Sequence, residues 1–295
     1  MIAPDGRTAC ARMEKARPMR WVICAVVALA FAPQALAQDY VLRGSQPTYR
    51  WAGFYGGASG GYTSSTVDFS QAPGPEVAFI LRETSIEQDE QISTWSVLGK
   101  RNPENTALGA FVGYNVEWNN VILGAEVDYS HSSLNASAAN SLTRSFSDSG
   151  SLPAGHHYYY TVFDGASSSF QMNNVTSFRA RFGWEAGNFL PYGFIGLAVS
   201  RVSTTTAALV TYSAVDYPDS ETPPLTPLPN LGPITGGESN SQNAFAYGVA
   251  TGVGMDVGIT PNLFVRGEFE YIYFAPVTGI QVSLTTARVG AGFKF

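Results

Sequence analysis

Three groups of residues in this 295-residue chain have types and spacings that could support chemistry. His156-His157-Tyr158 holds the chain's single histidine pair beside a phenol. Imidazole and phenol oxygen both ligate haem iron, so a haem site there is one reading, and haem is the only cofactor the pattern suggests. A polar, aromatic loop tip is the other reading. A second group gathers serines around a histidine, in Ser130-His131-Ser132-Ser133. A hydrolase working on lipid would need serine and histidine on one face near the membrane edge, but adjacent strand residues point to opposite faces. No catalytic residue is therefore expected. The third group is a set of charged residues spaced by two: Glu117, Glu126, Asp128, Arg179, Arg181, Glu185, Asp256, Arg266, Glu268, Glu270, Arg288 and Lys294. Paired carboxylates can bind a metal or move protons. Seven acids interleaved with five cations are explained more simply by mutual neutralisation on one side of a sheet,.

Elements with a two-residue repeat must carry those charges. From Leu108 to Trp118 the even positions are apolar or aromatic, and the odd ones are Gly109, Phe111, Gly113, Asn115 and Glu117. After Asn119-Asn120 the alternation resumes, with Val121, Leu123, Ala125, Val127 and Tyr129 on one face. Asn-Asn tolerates the positive φ angles of a two-residue hairpin, which would place Trp118 opposite Val121. A second hairpin alternates Phe178, Ala180, Phe182 and Trp184 with Arg179, Arg181 and Glu185, and turns at Gly187-Asn188. Its return strand presents Pro191, Gly193, Ile195, Leu197 and Val199 outward, which forces Tyr192 and Phe194 inward. A third hairpin runs from Phe245 through Thr260-Pro261-Asn262 to Tyr273. Its three-residue loop sets Asp256 opposite Arg266 as an interior ion pair. A glycine-rich first strand (Phe54 to Tyr62) and a last one (Thr285 to Phe295) complete an even total of eight.

The apolar set is nearly free of charge over all eight strands, and the charges lie on the other set. A small eight-stranded barrel has room inside only for packed side chains, too little for that many Trp, Tyr, Phe, Leu and Val residues. The greasy set therefore faces lipid. The expected fold is all-β: an eight-stranded antiparallel transmembrane barrel, with short periplasmic turns and long extracellular loops. The loops run roughly over 64–106, 131–174, 203–243 and 276–283. Val77 to Leu81 and Tyr158 to Phe163 have strand composition. Aromatics at strand ends (Trp118, Tyr129, Trp184, Tyr271, Tyr273, Phe293, Phe295) are the expected interfacial girdles.

The N-terminus reads as an export signal. Lys15, Arg17 and Arg20 precede an apolar run from Trp21 to Phe31, and Ala35-Leu36-Ala37 precedes Gln38,. Cleavage between Ala37 and Gln38 divides the chain into a signal peptide (1–37, with the true start possible at Met13 or Met19), a periplasmic segment (38–52) and the barrel (53–295). Both cysteines, Cys10 and Cys24, fall in the signal, so the mature part is expected to lack disulfides and thiol chemistry. Beyond residue 37, 12 basic residues face 21 acidic ones, a net charge of −9. That balance argues against a nucleic-acid partner.

Trp51-Ala52-Gly53-Phe54-Tyr55-Gly56-Gly57, Gly113-Tyr114-Asn115, Phe178-Arg179-Ala180-Arg181-Phe182-Gly183, Phe189-Leu190-Pro191-Tyr192 and the ending from Arg288 to Phe295 resemble the porin-family outer-membrane β-barrels of alphaproteobacteria. These surface antigens are similar in architecture to the OmpA transmembrane domain. The resemblance implies residence in the cell outer membrane among lipid and lipopolysaccharide, and delivery by periplasmic chaperones. It implies an assembly signal at Phe293 and Phe295 read by the barrel-assembly machinery. It also implies a structural role in envelope integrity with surface loops on display. Haemin binding, weak porin-like passage of small solutes, or a host ligand at the loops are the alternatives it carries.

Overall fold

The computed structural model describes residues 49–147 (Ser96 apart), 156–218, 226–227 and 234–295. The signal segment, the Ala37–Gln38 cleavage site and most of the 38–52 segment lie outside the described residues. Eight long strands follow one another: β1 (Gly53–Asp68), β2 (Glu104–Trp118), β3 (Val121–Ser147), β4 (His156–Trp184), β5 (Phe189–Pro218), β6 (Ile234–Gly258), β7 (Leu263–Phe274) and β8 (Gln281–Lys294). Each pairs antiparallel with the next, and β8 pairs with β1 from Lys294 opposite Tyr55 to Gln281 opposite Asp68. The ring is closed and leaves no sheet edge through this region. Two-residue strands at Lys100–Arg101 and Thr226–Pro227 add to β1 and β5.

The turns set the registers. Asn119 and Asn120 have φ of 48° and 67°, and Trp118 pairs with Val121. Ala186 bridges Phe189, and Ile259 donates its N–H to the Leu263 carbonyl. Asp256 consequently faces Arg266. On the outer face Leu108, Trp118 and Val289 are each 71% exposed, and Phe178, Ile195 and Tyr247 are also open. Tyr192 and Phe194 point inward and are buried.

The wall is taller than its sequence announces. A tilted membrane strand needs about 9–11 residues, whereas β3, β4, β5 and β6 have 27, 29, 30 and 25. Most of the expected loops at 131–174 and 203–243 are strand extensions rather than loops. Their inward positions are small or modestly apolar (Leu134, Ala136, Ala138, Ala166, Ala208) and alternate with Ser, Thr and Asn. That contrast is too weak to read as a strand until an inner packing partner is known. Of the expected strand at Val77 to Leu81, residues 77–80 instead belong to helix α1 (Gly74–Ile80) and Leu81 is its C-cap. Pro75 sits in its first turn, where proline is tolerated, and Val77, Ile80 and Leu81 recur with helical spacing. Helix α2 (Ser85–Glu90) follows, with the Thr84 hydroxyl accepting from the Glu87 N–H as its cap,.

Registers slip at one height on three neighbouring strands, between His131 and Leu134, Met172 and Val175, and Val202 and Thr204. On β4 the slip reverses the face parity. Val175, Ser177, Arg179 and Arg181 point inward below it, and Met172, Phe170 and Ser168 do so above it. The bulges mark where the closed barrel passes into the taller four-stranded wall.

Candidate functional site

The lumen is built in layers. At the short-turn end Tyr49, Trp51, Tyr55, Phe111, Ile122, Leu190 and Phe264 form a buried aromatic and aliphatic plug. The segment before β1 folds back across the mouth. The Trp51 indole N–H donates to the Gly187 carbonyl at 3.1 Å, and Asn115 Nδ2 donates to the Trp51 carbonyl at 3.2 Å.

Above the plug lies the ionic layer. Strand parity aims Glu126 and Asp128 inward from β3, Arg179 and Arg181 from β4, Asp256 from β6, Arg266, Glu268 and Glu270 from β7, and Arg288 from β8. All nine are buried. Arg179 crosses the lumen from β4 to β7, with Nη1 3.0 Å from Glu268 Oε1 and Nη2 2.5 Å from Glu270 Oε1. Arg266 Nη1 reaches Glu126 on the far wall at 2.8 Å, and its Nε donates to Asp256 at 2.8 Å. Arg181 bonds Asp256 at 2.8 Å and Glu126 at 3.0 Å. Arg288 reaches Asp128 at 2.9 Å and also bonds Glu268. Four guanidiniums thus tie five carboxylates, and each guanidinium reaches at least one acid on a strand with which its own shares no backbone bonds.

Aromatics complete the coordination. The Tyr55 hydroxyl donates to Glu126 at 2.9 Å and accepts from Arg181 at 2.6 Å, and the Tyr192 hydroxyl donates to Glu268 at 2.7 Å. The Arg181 guanidinium lies 3.8 Å from the Tyr192 ring centre, and that of Arg266 lies 4.0 Å from the Phe111 centre,. Glycines make space for these rings. A Cβ on Gly113 would stand 2.3 Å from Tyr55, one on Gly254 2.4 Å from Tyr192, and one on Gly292 2.3 Å from Phe264. Gly113 in β2 is therefore a seat for the inward Tyr55 ring, as Gly254 and Gly292 are for Tyr192 and Phe264.

Apolar residues close the other end. Val67, Phe69, Leu98, Leu134, Phe170, Val202, Ile272 and Phe274 belong to one cluster over the ionic layer. Val77, Leu81, Ile86, Ile92 and Trp95 from the β1–β2 connection pack against Tyr160, Val162, Ala208 and Val210 of the tall wall. Asp164 is caught in this upper region, 1% exposed, and its Oδ1 has no hydrogen-bond partner among the described residues. Burial alone pushes its carboxyl up to about 6.

A closed, membrane-length ring with an uncharged outer face and a charge-filled lumen is the architecture in question. The sequence matches the model for the outer membrane protein beta-barrel domain over residues 22–295. The chain belongs to that family. No curated protein matches it. Among solved structures, Neisserial surface protein A is 16% identical, with 83% of this chain covering 98% of that one at a TM-score of 0.34. Ail of Yersinia pestis, solved with the heparin analogue sucrose octasulfate, is 16% identical, with 82% and 99% covered and a TM-score of 0.27. The N-terminal β-barrel domain of Pseudomonas aeruginosa OprF is 13% identical, with 81% and 99% covered and a TM-score of 0.30.

Three charges expected in the lumen of this outer-membrane barrel stand apart from the network. Glu117, Glu185 and Lys294 lie where the strands end at the short turns, and they are exposed or half-buried. There the wall gives way to water, so no cross-lumen partner is required. Burial and the neighbouring Glu117 push the Glu185 carboxyl up. Phe293 and Phe295 are exposed at the same end, their rings 5.6 Å apart edge to face.

Of the histidine candidates, the side chain of His156 lies outside the described ones. His156 begins β4. His157 is exposed, whereas Tyr158 lies on the face that packs toward Trp95 and Val162, so these neighbours point to opposite sides of the strand. His131 faces outward, and Ser132 instead accepts from Asn105 Nδ2 at 2.7 Å. Among the described residues no group of His, Cys, Asp and Glu could hold a metal ion. The plug residues Tyr49 and Trp51, and Asp164, were not singled out from sequence. The Trp51-Ala52-Gly53 motif is the signal that lay nearest to finding them.

Proposed function

We propose that this outer-membrane barrel is a structural, non-conducting envelope protein. It carries a tall strand wall on the cell surface and contributes to envelope integrity. The observation that carries the reading is the filled lumen, with aromatic plug, paired charges and apolar cap stacked in sequence. Buried charges are tolerated when paired, and cross-lumen pairing leaves no water-lined path for an ion.

Orientation follows from loop length, since such barrels keep short turns in the periplasm and long connections outside. Residues 1–37 serve as the export signal, cleaved between Ala37 and Gln38, and the terminal Phe293 and Phe295 serve as the signal for assembly. Chaperones and the assembly machinery are the transit partners. Outer-membrane lipid and lipopolysaccharide are the resident ones. The sequence resemblance to alphaproteobacterial surface antigens supports the display role, with host contact by the upper wall. Haemin binding at His156, His157 or Tyr158 and porin-like passage are the alternatives. No catalysis is proposed.

Reconstitution in planar bilayers tests this reading. The wild-type protein gives no steady conductance, and sustained open-channel current would refute it. Deletion is expected to sensitise cells to detergent.

A further inference from the structure

Above the bulges the outer face of β3, β4 and β5 forms a grid whose rows are set by the strand register. The bottom row is Asn135, Gln171 and Ser203, and the top row is Ser147, Tyr159 and Val215. Every second residue between them supplies a row, and no charged residue stands in any row. An ordinary solvent-facing surface carries a charge at about a quarter to a third of its positions. Among the described residues, arginines approach this face at its lower margin, where Arg101 Nε donates to the Ser137 carbonyl at 3.1 Å and the exposed Arg201 stands below the bottom row. On the fourth strand of the wall, Glu238 stands opposite Ala207.

The upper half of the grid carries its aromatics. Tyr159 and Phe163 are four residues apart on β4, roughly 14 Å along the strand. The Phe163 ring leans along the sheet over Gly165, where a Cβ would stand 3.1 Å from its Cε1 and 3.3 Å from its Cζ. Leu209, opposite Gly165, is 44% exposed, and Tyr159 is 42% exposed. Hydroxyls flank the Phe163 ring on both sides, from Thr143 on β3 and Thr211 on β5. In the row above it Ser145 Oγ lies 3.0 Å from Thr161 Oγ1. Protein interfaces are depleted of serine, and their hot spots of serine and threonine. A polyanion needs cations to displace its counterions, and the aromatic half offers none. A neutral polysaccharide fits what is there. Its C–H faces stack on a ring, and its hydroxyls donate and accept as those of Ser and Thr do. It brings no charge that would be left unpaired.

We propose that the upper outer face of β3–β5, centred on Phe163, is a docking surface for an uncharged polysaccharide that reaches the cell from outside. The proposal rests on the reading of the tall wall as surface-exposed. Phe163 lies eight residues above Gln171, roughly 27 Å along the strand. A chain arriving from solvent therefore meets the aromatic half first, and a lipid headgroup at the membrane edge does not reach it.

The full mature chain, folded in detergent micelles, is passed over immobilised dextran, laminarin, a mannan and dextran sulfate, with binding read by surface plasmon resonance. Wild-type protein is expected to bind at least one of the three neutral polymers about tenfold or more tightly than dextran sulfate. Phe163→Ser weakens that binding by about tenfold, and Phe163→Tyr keeps it. Thr143→Lys/Thr211→Lys, which sets a cation on each side of the ring, loses the neutral polymer and gains dextran sulfate. Heat-modifiable electrophoretic migration verifies the folding of each variant. No binding of any neutral polymer, equal binding by wild type and Phe163→Ser, or a wild-type preference for dextran sulfate overturns the proposal. Competition by the cell's own lipopolysaccharide as strong as that by the free neutral polymer would overturn the external source. Labelling of Ser167→Cys on intact cells reports the orientation independently, so a failure there is distinguishable from a failure of polysaccharide binding.

Discussion

At the residue scale the arginines differ from ordinary surface cations because each is buried and held by several acceptors. Arg179 contacts Asp128, Glu268 and Glu270 within 3.2 Å. Replacing it with Met leaves three carboxylates short of a partner, and removing one member of a buried pair costs about 3–5 kcal/mol. Urea unfolding of Arg179→Met in micelles is expected to show a loss of that size. A loss under 1 kcal/mol would mean that water enters the layer. Asp164 behaves in the opposite sense. Its folded-state carboxyl titrates at about 6, above the roughly 3.9 of an unfolded chain, so the fold favours the protonated form. The contribution is full below about pH 4, is lost as pH rises through 6, and is gone at neutrality, on the order of 3 kcal/mol. Asp164→Asn should flatten stability between pH 4 and 7 and raise it at pH 7.5. An unchanged pH profile would show that the carboxyl is solvated.

At the element scale the strands were legible wherever the two faces differ sharply in chemistry. Phe178, Phe182 and Trp184 against Arg179 and Arg181 leave only one assignment, and the Asn119-Asn120 turn then locks the neighbouring register. Apart from Tyr158 to Phe163, which read as strand and lies in β4, the extensions of β3 to β6 were not legible, because Ser, Thr, Ala and Asn alternate with one another and the inner face becomes apolar only once the β1–β2 connection packs onto it. Residues 77–81 misled for a related reason, since five apolar residues in a row satisfy either period until Pro75 and the packing of Val77 and Leu81 decide. Close approach supplies a test at this scale. Gly254→Val would drive a side chain into the Tyr192 ring and displace its hydroxyl from Glu268. Overpacking of this kind costs about 1–3 kcal/mol, and thermal unfolding should register it, whereas Gly267→Ala, with nothing near the added Cβ, should not.

At the scale of the whole molecule, closure turns a list of alternating charges into a plug. Arg179 and Arg288 span the lumen to acids on distant strands, so removing both cations should leave an acidic path. Arg179→Ala/Arg288→Ala in planar bilayers is expected to give a cation-selective leak that wild-type protein lacks. A silent double variant would assign the seal to the apolar layers alone.

The sequence by itself determined which side chains face lipid, where the short turns lie and that Asp256 opposes Arg266, because the strand's two-residue repeat and a hairpin's length are local properties of the chain. Only the tertiary structure decided that Arg266 meets Glu126, that Tyr49 and Trp51 close one mouth, and that α1 and α2 pack against the inner wall at the other. Those contacts join residues as distant along the chain as Trp51 and Phe264, and their geometry depends on how the ring closes and what then fits inside it.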